Sequence, residues 1–478
     1  MIIALIILAL VLGFFAVLLV RTLLFRPKKT VQADPTPFAF DGDIAVTRLQ
    51  TLVRCKTVSR ENREDEDDGE FRKLIDLLPE MYPFVHSFCR FQELEDRALL
   101  FQWPGRRSDA PSVMMAHYDV VPVVEENWEK PPFEGILENG VLWGRGTLDT
   151  KVTFNGVLSA AEHLISQGFV PEQDVWFAFS GGEEVNGMGA TRIVEYFKKN
   201  GIHPALVVDE GGAVVENVFP GVKGACGLIG IAEKGMMNLQ YTVHSNGGHA
   251  SAPKPHTPVG KLSMACSKVE ANPFPMHITK PVAEMFDTLG RHSNFLYRMI
   301  FANLWCFRWV LDLLSKKQGG ELNALLRTTV AFTQMQGSDA PNVIPPSATM
   351  VSNLRLNPED HAPESMEYIR KVIGDADVEL KNLYSMSPSP ISETNCPAWD
   401  KVAFAVGSTW PGCIVSPYLM VQCSDSRSYA GVSNHVYRFS AMDLTAEERA
   451  TIHGNNERIR VETIKKAVEF YIRLMAQC

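Results

Sequence analysis

The sequence predicts an α/β fold on a mainly parallel sheet, interrupted by a second, antiparallel unit and led by one apolar helix. Three observations predict it. Short apolar runs at 111–116, 174–179 and 205–208 alternate with helical patterns, and runs that are apolar throughout mark strands covered on both faces. From Lys234 the pattern changes, and 237–244 alternates apolar and polar residues like a half-exposed antiparallel strand. Residues 2–20 are uncharged and almost wholly apolar.

The apolar helix comes first in the chain. Nineteen residues, at a rise of about 1.5 Å each, just reach across a hydrocarbon core of about 30 Å. A cleaved secretory peptide would want a basic start and a small-residue cleavage site. Here a stretch from Arg21 to Arg26 follows the apolar run instead. The expectation is an uncleaved single-pass membrane anchor over 1–26. Arg21, Arg26, Lys28 and Lys29 all follow the span, which places the rest of the chain on the cytoplasmic side by the positive-inside rule. Residues 27–42, with Pro27, Pro35 and Pro37, read as a linker.

A chain of 478 residues is long for one core and predicts two domains. The first is expected over 43–233 and again over 386–478, with the second inserted at 234–385. A formal charge of −9, with no basic stripe beyond the flank of the anchor, argues against a nucleic-acid partner. The nine cysteines are scattered, with no CxxC pair; that excludes a disulfide framework and a Cys-type structural zinc site.

Chemistry begins at His117, which ends the 111–116 run. Asp149 stands between the Gly144–Gly146 turn and a helical pattern, where a carboxylate could also serve only as an N-cap. The 174–179 run leads to Gly181-Gly182-Glu183-Glu184, and 205–208 leads to Asp209, with Glu210 beside it. In open α/β sheets ligands bind beyond the carboxyl ends of the strands. Three strands ending in cation-binding residues therefore make a site. With His435 the set is His117, Asp149, Glu184, Asp209 and His435, two imidazoles and three carboxylates. Two divalent metals can share them if Asp149 bridges, each keeping an open position for water. The donors suit Zn²⁺, and also Co²⁺ or Mn²⁺. Asp119, two residues beyond His117 on an extended segment, is placed to hold the imidazole.

These motifs resemble the M20 metallopeptidases, in particular the carboxypeptidase S and N-acyl-amino-acid hydrolase branch. The likeness rests on His117-Tyr118-Asp119, Trp143-Gly144-Arg145-Gly146 with Asp149 and Lys151, Gly181-Gly182-Glu183-Glu184 and Asp209-Glu210-Gly211-Gly212. It runs from about residue 45 to the C-terminus. The resemblance implies a zinc-exopeptidase-like catalytic domain with a mixed, mainly parallel sheet and an inserted α+β lid domain that can mediate a homodimer. It assigns Glu184 to metal binding and Glu183 to general base catalysis. Asp209 stands where this branch carries Asp, and His435 where the family places its last ligand. His249, in Gly248-His249, would help polarise the scissile carbonyl, acting across subunits if the lid dimerises. Asn342 and Arg355 would approach the substrate, Arg355 gripping a free carboxylate. His453-Gly454-Asn455-Asn456-Glu457-Arg458 also matches a family motif and reads as structural.

The implied function is a dinuclear metal-dependent hydrolase cleaving an amide or peptide bond next to a free carboxylate. Its substrate would be a peptide or an N-acyl amino acid. A non-catalytic, metal-stabilised binding module on the same fold is the alternative, and retention of Glu183 argues against it. A dinuclear phosphoesterase would want a phosphate cradle that the sequence lacks. An apolar stretch over 294–317, inside a helical insertion at 284–317 of the lid, has two readings: packing in the lid or at a dimer interface, or a wall beside the cleft for long acyl chains.

Overall fold

The computed structural model describes residues 1–28, 33–36, 38–217 and 219–478. Of the expected linker over 27–42, residues 29–32 and 37, Lys29 among them, lie outside the described residues.

The apolar runs become strands of one eight-stranded sheet. Its order is Arg90–Leu94, Ala98–Trp103, Gln173–Ser180, Arg107–His117, Leu206–Glu216, Val436–Leu444, Ala225–Glu233, Ile414–Met420. The central strands Gln173–Ser180, Arg107–His117, Leu206–Glu216 and Val436–Leu444 run parallel. The first two strands pair antiparallel, and Ala225–Glu233 runs antiparallel to Leu206–Glu216 and Val436–Leu444 but parallel to Ile414–Met420, so the sheet is mixed. Helices cover both faces, which explains why the strands are apolar throughout. Met114, Ala116, Val175, Phe177, Phe179, Leu206 and Val208 pack into one core with the helices Lys151–Ser166 and Val461–Met475. Their sequence neighbours Val113, Met115, Trp176, Ala178 and Val207 face the helix Gly189–Lys199 through Ile193, Val194 and Phe197. The two-residue period of a strand thus sorts consecutive apolar residues into two cores.

The second unit has a core of its own. Four antiparallel strands lie in the order Thr329–Gln336, Ser347–Leu356, Gly235–His244, Glu379–Met386. The alternation read at 237–244 buries Met237, Leu239, Tyr241 and Val243 against the helices Pro258–Ala271 and Ala362–Ile373. The helical segment expected as part of this unit packs elsewhere. Val282, Met285, Phe286, Leu289, Phe301, Leu311 and Leu325, from the helices between 280 and 326, join the core of the large sheet. Phe219 stacks on Phe286 and Phe301 there. The apolar segment therefore packs with the core of the large sheet and not with that of the second unit.

Candidate metal centre

Three strands of the large sheet and two loops beyond it, one carrying Asp149 and one carrying His453, build the site. His117 is the last residue of the Arg107–His117 strand. Its Nδ1 lies 3.0 Å from the Asp119 backbone carbonyl, which leaves Nε2 free to face inward. That nitrogen is 2.9 Å from Asp149 Oδ1 and 3.3 Å from Glu210 Oε1. Burial opposes a charge on His117, but Glu210, Asp119 and Asp149 outweigh it and hold its pKa well above the usual value.

Asp149 does not stand as an N-cap carboxylate. Thr150 is the N-cap of the helix Lys151–Ser166, and the two oxygens of Asp149 are taken separately: Oδ1 by His117 and Oδ2 by His453 Nε2 at 3.0 Å. Its loop is held by Glu457, which is fully buried. One Glu457 oxygen accepts from the Leu148 and Asp149 amides at 2.7 and 3.2 Å. The other accepts from the Gly146 amide at 3.2 Å and from Arg145 at 2.6 Å.

The Gln173–Ser180 strand delivers Gly181 and Gly182, then a 3-10 turn over Glu183–Val185. A Cβ on Gly181 would stand 2.6 Å from the Tyr118 ring, so only glycine passes there. Asp119 fixes the turn that follows, accepting from the Glu183 and Glu184 amides at 3.1 and 3.2 Å and from the Ser59 hydroxyl at 2.6 Å. Asp119 thus positions His117 and both glutamates at once. Glu184 Oε2 meets His453 Nε2 at 3.1 Å. Burial drives the Glu183 carboxyl well above the usual range; His117 opposes this, and Glu210, Asp425 and Glu184 add to it.

Two expected ligands are corrected. The sequence reading ended a strand at Asp209, but the strand runs on as Leu206–Glu216. Arg438 pairs with Asp209 and Phe439 with Gly212, so Glu210 and Gly211 form a bulge. Gly212 makes the bulge possible, since a Cβ there would sit 1.8 Å from the Leu228 carbonyl oxygen. The result sends Glu210 to His117, while Asp209 turns away and accepts from the Ser426 amide at 2.9 Å. Bulges commonly re-aim a side chain in this way.

His435 is the second correction. It precedes the parallel strand Val436–Leu444, so it lies at the amino edge of the sheet, opposite the site. Its Nδ1 is 3.1 Å from the Ala205 carbonyl, and it shares a surface hollow with Ala110, Ser112 and Gln173. His453 takes the place expected of it, from the loop that carries Glu457. The strand-end rule used for the other residues disfavours a residue ahead of a strand, and the 453–458 motif, read from the sequence as structural, is the stretch that brings a histidine to Asp149 and Glu184.

The residues brought together fit divalent cations. His117, Asp149 and Glu184, and again His117, Glu183 and Glu210, bring donor atoms within 4.8 Å of one another. Glu184 Oε1 is buried with no hydrogen-bond partner among the described residues, an orphan that a cation would satisfy.

Asp149, Glu183, Glu184, Glu210 and His453 line one end of a cavity of about 580 Å³. Its other walls are largely apolar, formed by Ala213, Val215, Leu228, Met420, Val421 and Ile452. Trp305, from the 294–317 stretch read as a possible acyl wall, does not line it. Arg355 does not line the cavity itself but lies behind the lining residue Cys423, its Nη1 3.5 Å from the Cys423 sulfur. His249 and Asn342 do not line it. They sit together on a two-stranded ribbon of the second unit, where the Ala250 amide donates to the Asn342 carbonyl at 2.9 Å and His249 is exposed.

The profile of Peptidase family M20/M25/M40 matches residues 113–477. The chain is 32% identical to a probable carboxypeptidase S-like 2 of Dictyostelium discoideum, over 98% of this chain and 92% of that protein. It is 35% identical to the N-fatty-acyl-amino acid synthase/hydrolase PM20D1 of Xenopus tropicalis, over 90% of this chain and 85% of that one. The crystal structure of an M20 family metallo-carboxypeptidase from Sulfolobus solfataricus aligns with a TM-score of 0.66 at 16% identity, covering 91% of this chain and 98% of that one. That structure speaks for the fold, and the profile and the relatives speak for descent. The chain is therefore an enzyme, a hydrolase belonging to peptidase family M20/M25/M40.

Proposed function

We propose that the enzyme is a dinuclear metal-dependent hydrolase that cleaves the amide bond of N-acyl amino acids, next to their free carboxylate. One observation carries the reading: Asp149 presents one oxygen to His117 and the other to His453, with Glu210 and Glu184 completing the two sides. His117, Asp149 and Glu210 would hold one cation, and Asp149, Glu184 and His453 a second, with Zn²⁺ the best match and Co²⁺ or Mn²⁺ able to replace it. Bound there, the cations supply a Lewis acid for the scissile carbonyl and ease deprotonation of the attacking water.

The chain's own residues do the rest. Glu183 takes the proton of the attacking water and returns it to the leaving nitrogen. Its raised pKa suits a group that must hold a proton between those steps. Asp119 keeps Glu183 and His117 in register through the Glu183 amide and the imidazole. Arg355, at the Cys423 side of the cavity, takes the substrate carboxylate. The apolar walls at Val215, Leu228, Met420 and Val421 receive the acyl chain. A peptide is the competing substrate, as the carboxypeptidase S-like relative's name suggests; the apolar cavity and the name of the second relative favour the acyl group. His249, exposed on the second unit, acts after lid closure or in the cleft of a second copy. The helix Ile2–Leu24 anchors the enzyme in a membrane, with the catalytic body on the cytoplasmic side.

The test compares N-acetyl and N-dodecanoyl forms of one amino acid with a dipeptide carrying the same C-terminal residue. Each buried methylene is worth about 0.8 kcal/mol, so the dodecanoyl substrate should have by far the largest kcat/KM. A dipeptide cleaved better than either acyl compound would make the enzyme a carboxypeptidase.

A further inference from the structure

The apolar segment read from the sequence at 294–317 forms two helices, Phe295–Ala302 and Leu304–Gln318. Their inner residues Phe301, Ala302 and Leu311 are buried. Their outer residues are not. Trp305, Trp309 and Leu313, spaced i, i+4, i+8, form one stripe that is 59%, 68% and 61% exposed, and Phe295 and Leu296 at the start of the first helix are exposed as well. A soluble surface rarely leaves two tryptophans and three further large apolar residues together in water.

The helix pair is fixed to the N-terminal helix Ile2–Leu24. Asn303 is fully buried, and its side-chain amide donates to the Leu18 carbonyl at 3.2 Å and the Thr22 hydroxyl at 3.3 Å. Arg21 donates to the Ala302 carbonyl through two nitrogens, at 3.2 and 3.1 Å. Further along the helix, the Phe14 ring meets Trp305 edge-on at 5.9 Å. These contacts set depth. Phe14 lies seven residues, or about 10 Å of helix, from the charged end of the span that begins at Arg21. If Ile2–Leu24 crosses a bilayer, whatever touches Phe14 lies below the headgroups.

We propose that the helices Phe295–Ala302 and Leu304–Gln318 are a second membrane element, dipping their Trp305–Trp309–Leu313 stripe into the leaflet beside the anchor. The depth set by Phe14 matches the roughly 5–10 Å at which in-plane amphipathic helices bury their apolar face. Tryptophan is the side chain enriched at that level. Lys316 and Lys317, at the far end of the second helix, meet the headgroups. Two contacts in place of one hold the catalytic body at a fixed angle to the bilayer. The inference rests on reading Ile2–Leu24 as a span, and the experiment separates the two.

The chain has eight tryptophans and none lies in the anchor helix. Of the others, Trp103, Trp128, Trp176, Trp399 and Trp410 are buried and Trp143 is half-buried, so bromine in the acyl chains reports on Trp305 and Trp309 alone. The full-length protein is reconstituted into phosphatidylcholine vesicles, plain or with brominated chains, and flotation shows whether it is bound. The expected result is flotation in both, lower tryptophan emission in the brominated vesicles, and loss of that difference in the W305F/W309F double variant, which still floats. Equal emission in the two vesicle types from wild-type protein that floats overturns the second element while leaving the anchor. A difference that persists in the double variant overturns it too. Failure to float overturns the anchor reading and this inference with it.

Discussion

Glu457 ties the site to the scaffold. Its carboxylate holds the Asp149 loop through three amides and neutralises Arg145, with both side chains essentially out of water. Replacing it by alanine leaves a buried guanidinium without its partner, which destabilises by about 3–5 kcal/mol; thermal unfolding of Glu457→Ala should show a correspondingly large fall in Tm. Glu183→Gln tests the chemistry separately from the scaffold. It should retain its metals and lose roughly 10²–10⁴ in kcat, the usual contribution of a general base. Near-normal turnover in that variant removes the assignment. His117, Asp149 and the Glu183–Glu184 pair were legible in the sequence because each follows an apolar run or a glycine turn. Glu210 was not, because choosing it over Asp209 depends on a bulge set by pairing with Arg438 and Phe439, more than two hundred residues away in the chain. His435 was read as the last ligand from the family resemblance, and strand direction shows that it stands at the edge of the sheet opposite the site.

At the scale of elements, the period-two sorting of apolar residues made the strands readable, and the change of pattern at Lys234 marked the second unit. What the helices between 280 and 326 pack against was not readable, since their apolar faces would suit either core. The cavity walls come instead from the strands Leu206–Glu216, Ala225–Glu233 and Ile414–Met420 and the residues just after them. Val421 lies at the end of the last of these, on the cavity and half-exposed, so it tolerates a larger side chain. Val421→Trp should reduce kcat/KM for the N-dodecanoyl substrate at least tenfold and leave the N-acetyl substrate within about twofold; one methylene in such a pocket is worth about 1–3 kcal/mol. Equal losses for both substrates would mean that the acyl chain does not run along this wall. His249 is tested by mixing His249→Ala with Glu183→Gln subunits. Restored activity in the hybrids shows the imidazole serving a partner's cleft, and no rescue despite proven subunit exchange confines each site to one chain.

For the whole molecule, the site gathers more buried acid than the fold tolerates unaided. Burial raises Glu210 to about 8 and Asp425 to about 7, and contacts with Asp149 and Glu184 raise His453 to about 10. Groups whose folded pKa lies above the unfolded value bind more protons when folded, so stability falls as pH rises. Metal-stripped protein should therefore lose stability progressively between about pH 4 and 10, the carboxylates acting up to about pH 8 and His453 above the ordinary histidine range, while the metal-loaded protein should not; denaturant midpoints across that range, with and without chelator, measure it. A metal-stripped protein whose midpoint rises over the same interval would contradict the sign.

The central claim is that Asp149 bridges two cations, with His117 and Glu210 on one side and Glu184 and His453 on the other. Metal content per chain, determined by elemental analysis of purified variants, tests it most directly. The account predicts two ions in the wild type and in His435→Ala, one in His453→Ala and one in Glu210→Ala, and none in Asp149→Ala. Two ions retained in His453→Ala together with loss in His435→Ala would contradict it.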